Sequence, residues 1–228
     1  MERADELKTA ILSSVSHDLR TPLTAIKAAV ESLRDGEIDW SNEDRASFLE
    51  TIEGQTDRLT ATVSDLLEMS RLDGHAVTPS SEAIEVVPLL EEARAGAVFA
   101  RQIQVEAPAG LWLRADYHLL LQALGNLLEN ADRYSAPGSL ILLEARAEKA
   151  TVRIDVADYG PGIPAADLPH IFEKFYRGKQ NAEIKGSGLG LAIVKAMVEL
   201  CSGSVAVSSS GSGTRFTIEL PAARAPQS

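Results

Sequence analysis

The sequence lacks the features that mark secreted and membrane-spanning proteins. It contains a single cysteine, Cys201, which excludes both an intrachain disulfide and a metal site made of several thiolates. It has no run of about 18 consecutive apolar residues, the length that crosses a bilayer as a helix. The first residues are too charged for a signal peptide. These absences fit a protein of a reducing cytoplasm.

Basic residues are also scarce. The chain has 22 Lys and Arg against 33 Asp and Glu, a formal net charge of −11. Nucleic acids and anionic membranes would repel such a chain, so we expect neither as a partner. The remaining composition, 45% hydrophobic and 24% charged, is that of a soluble globular protein. At 228 residues it is long enough for one large domain or two small ones.

The first third of the chain has the period of amphipathic helices. Apolar residues recur at steps of three and four over 7–33 and again over 48–70. The first helix is expected to end near Gly36, and the second to begin behind a capping box formed by Ser41 and Asp44. Two such helices joined by a short loop form an antiparallel hairpin. Because the hairpin cannot bury both stripes by itself, we expect a homodimer that completes a four-helix bundle.

After a polar stretch over 75–83, which predicts a linker, the pattern changes to short strands that alternate with helices. The expected strands are 84–87, 103–107, 111–114, 139–147, 150–158, 204–209 and 213–220, and the expected helices are 88–100, 116–133 and 189–201. The turn at 148–150 predicts a β-hairpin, so the sheet is at least partly antiparallel. The predicted fold class is α+β: a helical hairpin over 1–74, an α/β sandwich over 84–221 with helices on one face, and a disordered tail over 222–228.

A histidine beside an acid lies on the first expected helix, in the segment 16–22, SHDLRTP. His17 lies off the apolar stripe, so we expect its ring to face solvent, where a neutral imidazole has a free lone pair and can act as a nucleophile. Asp18 is close enough to hold the proton on the other ring nitrogen. Pro22 removes an amide donor from the helix and predicts a local bend. Taken alone, such a pair is more typical of a solvated helix surface.

Two asparagines lie one helical turn apart in the segment 126–134, NLLENADRY. Asn126 and Asn130 share a face of the expected helix, and Arg133 follows on the same side. Neutral amide oxygens suit a hard cation such as Mg²⁺, and a guanidinium suits phosphate. Hydrogen bonds that pack one helix on another explain this segment equally well on its own.

Two glycine-containing segments follow. In the first, 158–163, DYGPGI, glycines would let the backbone approach a flat ligand, and Asp158 could accept a hydrogen bond from an exocyclic amine. In the second, 186–191, GSGLGL, glycines open a helix whose free amides could hold a triphosphate. Its spacing matches neither the dinucleotide fingerprint nor a P-loop. The polar residues 173–185 predict a mobile lid. A tight turn is the alternative for the first segment.

In this order and behind a helical hairpin, these segments resemble the catalytic core of the sensor histidine kinases of two-component systems, of the HisKA type. The resemblance covers nearly the whole chain. The segments similar to the H, N, G1, F and G2 boxes and to the last glycine motif are, respectively, 17–22, 126–134, 158–163, 171–178, 186–190 and 213–216.

The resemblance implies a dimerisation and phosphoacceptor domain over 1–74 and a GHKL-type (Bergerat) ATP-binding domain over 84–221. His17 would attack the γ-phosphate of ATP with help from Asp18, and the phosphoryl group would pass to an aspartate of a response-regulator receiver domain. Thr21 would position the water that dephosphorylates that regulator. The chain would be cytoplasmic, on its own or as the cytoplasmic part of a larger membrane-bound sensor.

The same resemblance implies a nucleotide site. Asn126 and Asn130 would ligate Mg²⁺, Arg133 and Arg177 would meet phosphates, and Asp158 would hold the adenine amino group. Arg133 stands where the family commonly has lysine, which keeps the charge but changes the donor geometry. The other residues implied to contact the nucleotide are Tyr134, Gly160, Gly162, Ile163, Gly186, Gly188, Leu189, Gly190 and Thr214.

Two other functions remain open from the sequence. A GHKL ATPase would use nucleotide-driven closure for mechanical work, without phosphotransfer. A dimeric scaffold would keep the fold and lack catalysis. The helix that carries His17 and Asp18 disfavours the ATPase, and the presence of every expected polar residue disfavours the scaffold.

Overall fold

The computed structural model of the chain divides it into two compact units, Met1–Ser70 and Arg71–Ser228. None of the helices in the described ranges is both long enough and apolar enough to cross a membrane. The structure describes residues 2–35, 38–74, 77–97, 101–136, 138–178 and 187–226, with the backbone alone for 2–15, 17 and 18. The elements are α1 (Glu2–Arg34), α2 (Asn42–Asp73), β1 (Glu82–Glu85), α3 (Val86–Gly96), β2 (Ile103–Glu106), β3 (Trp112–Ala115), α4 (Tyr117–Tyr134), β4 (Ile141–Glu148), β5 (Thr151–Asp158), α5 (Gly190–Leu200), β6 (Ser204–Ser210) and β7 (Gly213–Pro221).

The first unit is built from two long helices, as predicted. The expected capping box precedes α2: the Asp44 N–H donates to Ser41 Oγ at 3.0 Å, and the Ser41 N–H donates to the Asp44 carboxylate at 3.3 Å. The indole N–H of Trp40 donates to the backbone oxygen of Ser32 at 2.8 Å. The ring of Trp40 also meets Phe48 edge-on, with centroids 5.1 Å apart. These contacts fix the connection between the two helices.

Both helices leave large apolar side chains exposed, and these share faces. On α1, Leu23 and Val30 are 51% and 37% exposed and lie two helical turns apart. On α2, Leu49, Val63 and Leu67 are 58%, 41% and 58% exposed, and the helical period brings all three to one face. Single exposed apolar residues are ordinary, whereas aligned ones indicate a surface that another molecule covers.

The second unit contains a mixed sheet with helices packed on one face. Its five strands follow the order β2-β4-β5-β7-β6, with β2 parallel to β4 and every other pair antiparallel, so β2 and β6 form the edges. Strands β1 and β3 form a separate antiparallel pair. The predicted β4–β5 hairpin is confirmed, with Lys149 in its turn at φ 55°. Helix α4 packs on β4 and β5 and between α3 and α5.

The opposite face of the sheet is polar and contains a buried carboxylate. Asp155 is 1% exposed and accepts hydrogen bonds from Arg153 Nε at 3.0 Å and from Thr217 Oγ1 at 2.5 Å. A guanidinium nitrogen of Arg146 and one of Arg215 each lie 3.4 Å from its Oδ2. A buried charge is tolerated only when it is paired in this way. These five residues, the Asp155 cluster, tie β4, β5 and β7 together.

The start of the second unit differs from the sequence-based expectation. Strand β1 begins at Glu82, inside the expected linker, and α3 begins at Val86, where the strand was expected to continue. The expected helix started at residue 88, which is a proline, two residues after the observed start. Proline is tolerated throughout the first turn, where amides have no helical acceptor, so the helix begins two residues earlier. It also ends at Gly96 rather than at residue 100.

The expected disordered tail over 222–228 begins with regular hydrogen bonds. The Ala222 N–H donates to the backbone oxygen of Ala150, and the Ala223 N–H donates to that of Trp112, both at 2.9 Å. The two residues after the final strand are therefore held in place by hydrogen bonds to distant segments. A local sequence pattern cannot indicate such contacts. Residues 227 and 228 lie outside the described part of the chain.

We predict that Asp155→Ala lowers the free energy of unfolding of the second unit by about 1–3 kcal/mol, because the Thr217 hydroxyl and the partly exposed guanidinium groups of Arg153 and Arg215 lose the carboxylate that they share. Equilibrium urea unfolding of the full chain, followed by circular dichroism, measures this. Glu148→Ala, at an exposed position on the same sheet face, is the matched control and should change the value by no more than about 0.5 kcal/mol. Equal effects of the two substitutions would contradict the importance of the Asp155 cluster.

Candidate functional site

Several of the residues expected at the nucleotide site meet at the end of β5. Asp158 is the last residue of this strand and lies directly opposite Thr214 of β7. Its carboxylate is buried and accepts hydrogen bonds from the Gly160 N–H at 2.8 Å and from the Thr214 backbone N–H. Burial raises the pKa of Asp158, and the two N–H donors oppose this rise. Such a carboxylate can accept a further hydrogen bond from a ligand amine.

The glycines after Asp158 allow backbone segments to touch. A Cβ atom on Gly160 would lie 2.2 Å from the backbone oxygen of Tyr134, at the end of α4. Gly162 has φ 77°, and a Cβ there would lie 1.8 Å from the backbone oxygen of Ser210 in β6. Only glycine fits at either position. The sequence suggested close approach to a ligand, whereas the approach in the structure is to the protein's own backbone.

The loop 158–163 is also fastened to β6 by a residue that the sequence analysis missed. The Ile163 N–H donates to Ser209 Oγ at 2.8 Å, and the same hydroxyl lies 3.0 Å from the Gly213 backbone oxygen. The alternation of side chains in β6 contained a signal for this role. Val207 and Ser209 point to the same half-buried face of the strand, and a serine at a position where an apolar side chain is usual indicates a hydrogen-bonding partner there.

The two asparagines lie on α4, one turn apart and half-buried. Neither side chain of Asn126 and Asn130 has a hydrogen-bond partner within the described ranges, so the helix-packing hydrogen bonds considered as an alternative are not formed there. Two neutral amide oxygens are thus available on one face. Arg133 is exposed at the rim of a groove between α3 and α4, beside Glu129 and Asp132.

The segment 171–178 and the start of α5 form a second group. Phe175 has φ 64°, and its N–H donates to the Gly188 oxygen at 2.9 Å. A Cβ on Gly188 would lie 2.8 Å from the Phe175 carbonyl carbon, so these backbones are also in contact. Leu189 is fully buried, and Gly190 begins α5, which has no side-chain cap at its N-terminus. Arg177 is half-buried next to this group. Uncapped helix N–H groups are suited to an anion.

Some expected site residues lie wholly or partly outside the described part of the chain. Gly186 and residues 179–185 of the expected lid lie outside the described part of the chain. His17 and Asp18 lie within α1, but their side chains are also outside the described part, so the expected solvent exposure of the ring stays a prediction. Thr21 is exposed on the same helix, one turn after His17.

Two family models match the chain. Residues 7–75 match the His Kinase A (phospho-acceptor) domain, and residues 115–224 match the histidine kinase-, DNA gyrase B- and HSP90-like ATPase. The chain belongs to the histidine kinases. The resemblance noted in the sequence is thereby confirmed, and the ATPase match identifies the second unit as an ATP-binding domain.

Curated relatives align with almost the whole chain. Sensor protein KdpD of Mycobacterium tuberculosis is 37% identical over 231 residues, which cover 96% of this chain and 26% of KdpD. Signal transduction histidine-protein kinase BaeS of Escherichia coli is 34% identical over 234 residues, which cover 98% of this chain and 49% of BaeS. This histidine kinase chain therefore spans half or less of the length of these relatives.

Solved structures confirm the predicted fold class. The Acinetobacter baumannii histidine kinase AdeS has a TM-score of 0.70 at 24% identity and covers 90% of this chain and 97% of its own. ShkA, solved in complex with AMPPNP, has a TM-score of 0.67 at 29% identity and covers 95% of this chain and 46% of its own. The helical hairpin followed by a GHKL-type α/β sandwich is the fold of this histidine kinase.

We predict that Gly160→Ala weakens ATP binding at least about tenfold, or about 1.4 kcal/mol, because the new methyl group would displace the backbone at Tyr134 and with it the loop after Asp158. Isothermal titration calorimetry of the full chain with ATP measures this. Gly211→Ala is the matched control, since no atom lies within 4 Å of the added methyl group. Unchanged ATP affinity in Gly160→Ala would contradict the role of this contact.

Proposed function

We propose that this chain is an ATP-dependent protein-histidine kinase that phosphorylates its own His17, transfers the phosphoryl group to an aspartate of a response regulator, and also dephosphorylates that regulator. One observation carries the proposal: the phospho-acceptor match includes His17, and the ATPase match includes the groups gathered around Asp158 and Gly188. An ATPase that performs mechanical work has no need of a phospho-acceptor helix, and a scaffold has no need of an intact nucleotide site.

The two domains divide the work. Residues 1–74 are the dimerisation and phosphotransfer domain, residues 75–83 connect it, and residues 84–221 are the catalytic ATP-binding domain. The exposed apolar faces of α1 and α2 support a homodimer in which two hairpins complete a four-helix bundle. An isolated hairpin would leave these faces in water.

The end of β5 is the adenine-binding part of the site. Asp158 accepts the hydrogen bond of the exocyclic amine of adenine, while the N–H groups of Gly160 and Thr214 hold its carboxylate in place. Gly162, Ile163 and the neighbouring Tyr134 shape the space around the base. Selectivity arises because a base without a donor at this position would leave a buried carboxylate without its partner.

The phosphate end lies at the start of α5 and on α4. The backbone N–H groups of Gly188 and Gly190, with Gly186 before them, are suited to phosphate oxygens. The N–H of Leu189, between them, donates to Ser187 Oγ at 3.2 Å. Arg133 and Arg177 supply positive charge for the same oxygens, which carry more negative charge as the γ-phosphoryl group leaves. These groups would set N–H donors and guanidinium groups against the negative charge of the phosphates.

The residues present on α4 fit a magnesium ion. Asn126 and Asn130 present two neutral amide oxygens without a protein partner within the described ranges, and such oxygens are the hard ligands that Mg²⁺ prefers. When bound, Mg²⁺ would neutralise phosphate charge and stabilise the leaving oxygen. The two amides would hold such an ion without adding a charge of their own.

His17 is the nucleophile. A nitrogen lone pair of its neutral imidazole forms a bond with the γ-phosphorus, the bond from this phosphorus to the bridging oxygen breaks, and ADP leaves. Asp18 holds the proton on the other ring nitrogen, which keeps the attacking nitrogen unprotonated and stabilises the positive charge that develops. The product is a phosphohistidine with a reactive phosphorus–nitrogen bond.

The receiver domain of a response regulator takes the phosphoryl group onto an aspartate, and Thr21 then positions the water that removes it. The histidine kinase ThkA, which shares the fold with a TM-score of 0.73 at 21% identity, was solved in complex with response regulator protein TrrA. We place these reactions in the cytoplasm, where ATP is available and Cys201 stays reduced.

We predict that Asp158→Asn weakens ADP binding by about 10- to 100-fold. The asparagine amide replaces one carboxylate oxygen by an NH₂ group, and when this group faces the base the exocyclic amine of adenine has no acceptor, at a cost of about 1–3 kcal/mol. We also expect the ligand-free Asp158→Asn variant to have a higher free energy of unfolding than the original chain at pH 7. The pKa of Asp158 is raised above its ordinary 3.8 in the folded chain. The ionised carboxylate therefore lowers the stability of the original chain at pH values above the folded pKa, and this penalty is absent below pH 3.8, where the group is protonated in both states.

The stability gain of Asp158→Asn should therefore shrink as the pH falls toward about 4. Calorimetric titration with ADP and thermal unfolding at several pH values measure the two effects. A variant that binds ADP normally would contradict the role assigned to Asp158, and a gain independent of pH would contradict the raised pKa.

We predict that the full chain incubated with γ-labelled ATP and Mg²⁺ acquires an acid-labile, alkali-stable label, and that His17→Gln abolishes it. His118→Gln, which changes an exposed histidine of the ATP-binding domain, is the matched control and should label normally. Label that persists in His17→Gln would overturn the assignment of the acceptor. ATP turnover without acid-labile label would identify the chain as an ATPase instead.

A further inference from the structure

Ser209 of β6 contacts the two segments that flank Asp158, the loop 158–163 and the start of β7. It was not among the residues expected to contact the nucleotide. We propose that Ser209 is a positioning residue that sets the preference for adenine: its hydroxyl holds the loop 158–163 against the β6–β7 hairpin, so that Asp158 faces the base. The inference rests on the proposed function, because it takes Asp158 as the group that binds adenine.

The hydroxyl of Ser209 has three partners, which equals its full capacity of one donated and two accepted hydrogen bonds. It accepts from the Ile163 N–H at 2.8 Å and donates to the Gly213 backbone oxygen at 3.0 Å. Its second lone pair accepts from the hydroxyl of Thr214, whose oxygen lies 3.1 Å away. This arrangement satisfies all three neighbours at once, which a proton directed at Thr214 would not do.

These contacts continue to Asp158. Thr214 pairs with Asp158 across β7 and β5 and donates its backbone N–H to the carboxylate. The loop after Asp158 is therefore fastened at two points: Gly160 donates to the carboxylate, and Ile163 donates to Ser209. With both points in place, the carboxylate and the loop have a single arrangement relative to each other.

The loop 158–163 lies so close to β6 that no other group can take the place of the Ser209 hydroxyl between them. A Cβ on Gly162 would lie 3.0 Å from Ser209 Oγ and 1.8 Å from the Ser210 oxygen, so the loop backbone rests directly on β6. Loss of the hydroxyl leaves the Ile163 N–H without its acceptor next to a half-buried strand, and an unpaired donor there favours a shift of the loop. The shift would turn Asp158 away from the base and leave the phosphate contacts unchanged.

The test compares ADP with GDP, because both carry the same phosphates and differ in the base that meets Asp158. Calorimetry of the full chain should show that Ser209→Ala weakens ADP binding about tenfold, the factor that about 1.4 kcal/mol represents, while GDP binding changes less than about twofold. Ser209→Thr keeps the hydroxyl and should restore ADP affinity to within about threefold of the original. Ser208→Ala, exposed on the same strand, is the matched control and should change neither affinity.

Asp158→Asn in the same assay separates this inference from the proposed function. If Asp158→Asn lowers the preference for ADP and Ser209→Ala does not, the positioning role of Ser209 is overturned while the adenine site stands. Equal losses of ADP and GDP affinity in Ser209→Ala, without rescue by Ser209→Thr, would indicate general damage to the domain and would also overturn it. If Asp158→Asn leaves the preference unchanged, the assignment of Asp158 to adenine fails, and the inference on Ser209 fails with it.

Discussion

A buried carboxylate needs N–H donors around it, and in the ATP-binding domain this requirement organises the site at Asp158. The donors come from Gly160 in the following loop and from Thr214 on the neighbouring strand. A loop that left Asp158 would have to leave a buried charge with fewer partners, which is costly. The carboxylate of Asp158, which a ligand amine would contact, therefore also fixes the backbone at Gly160 and Thr214.

Backbone contacts, more than side chains, join the remaining parts of this domain. The chain touches itself at Gly160 and Tyr134, at Gly162 and Ser210, and at Gly188 and the backbone of Phe175. Each contact brings a loop to within a distance that any side chain would prevent. Motifs that are far apart in the sequence therefore meet with little freedom, which suits a site that must hold a base and a triphosphate in a fixed relation.

Local periodicity was sufficient for much of this fold. The helical hairpin, the cap at Ser41 and Asp44 and the β4–β5 hairpin depend on residues near each other in the chain, and all were predicted. The start of α3 at Val86 was missed because the first turn of a helix tolerates proline at several positions. Most residues around Asp158 were found through a family resemblance. Ser209 was not, because its partners lie on other segments and are set by strand register, which no local pattern contains.

The position of β6 at one edge of the sheet has a consequence for how two copies of the chain meet. A free sheet edge offers unpaired backbone groups to a second molecule, and proteins must discourage such pairing. Three of the exposed positions of β6 are serines, Ser204, Ser208 and Ser210, and such hydrated side chains give an added strand little apolar surface to pack against on that face. An incoming chain gains far more by covering the leucines on α2. Self-association is therefore expected to favour the apolar faces of the helices over this largely polar strand edge.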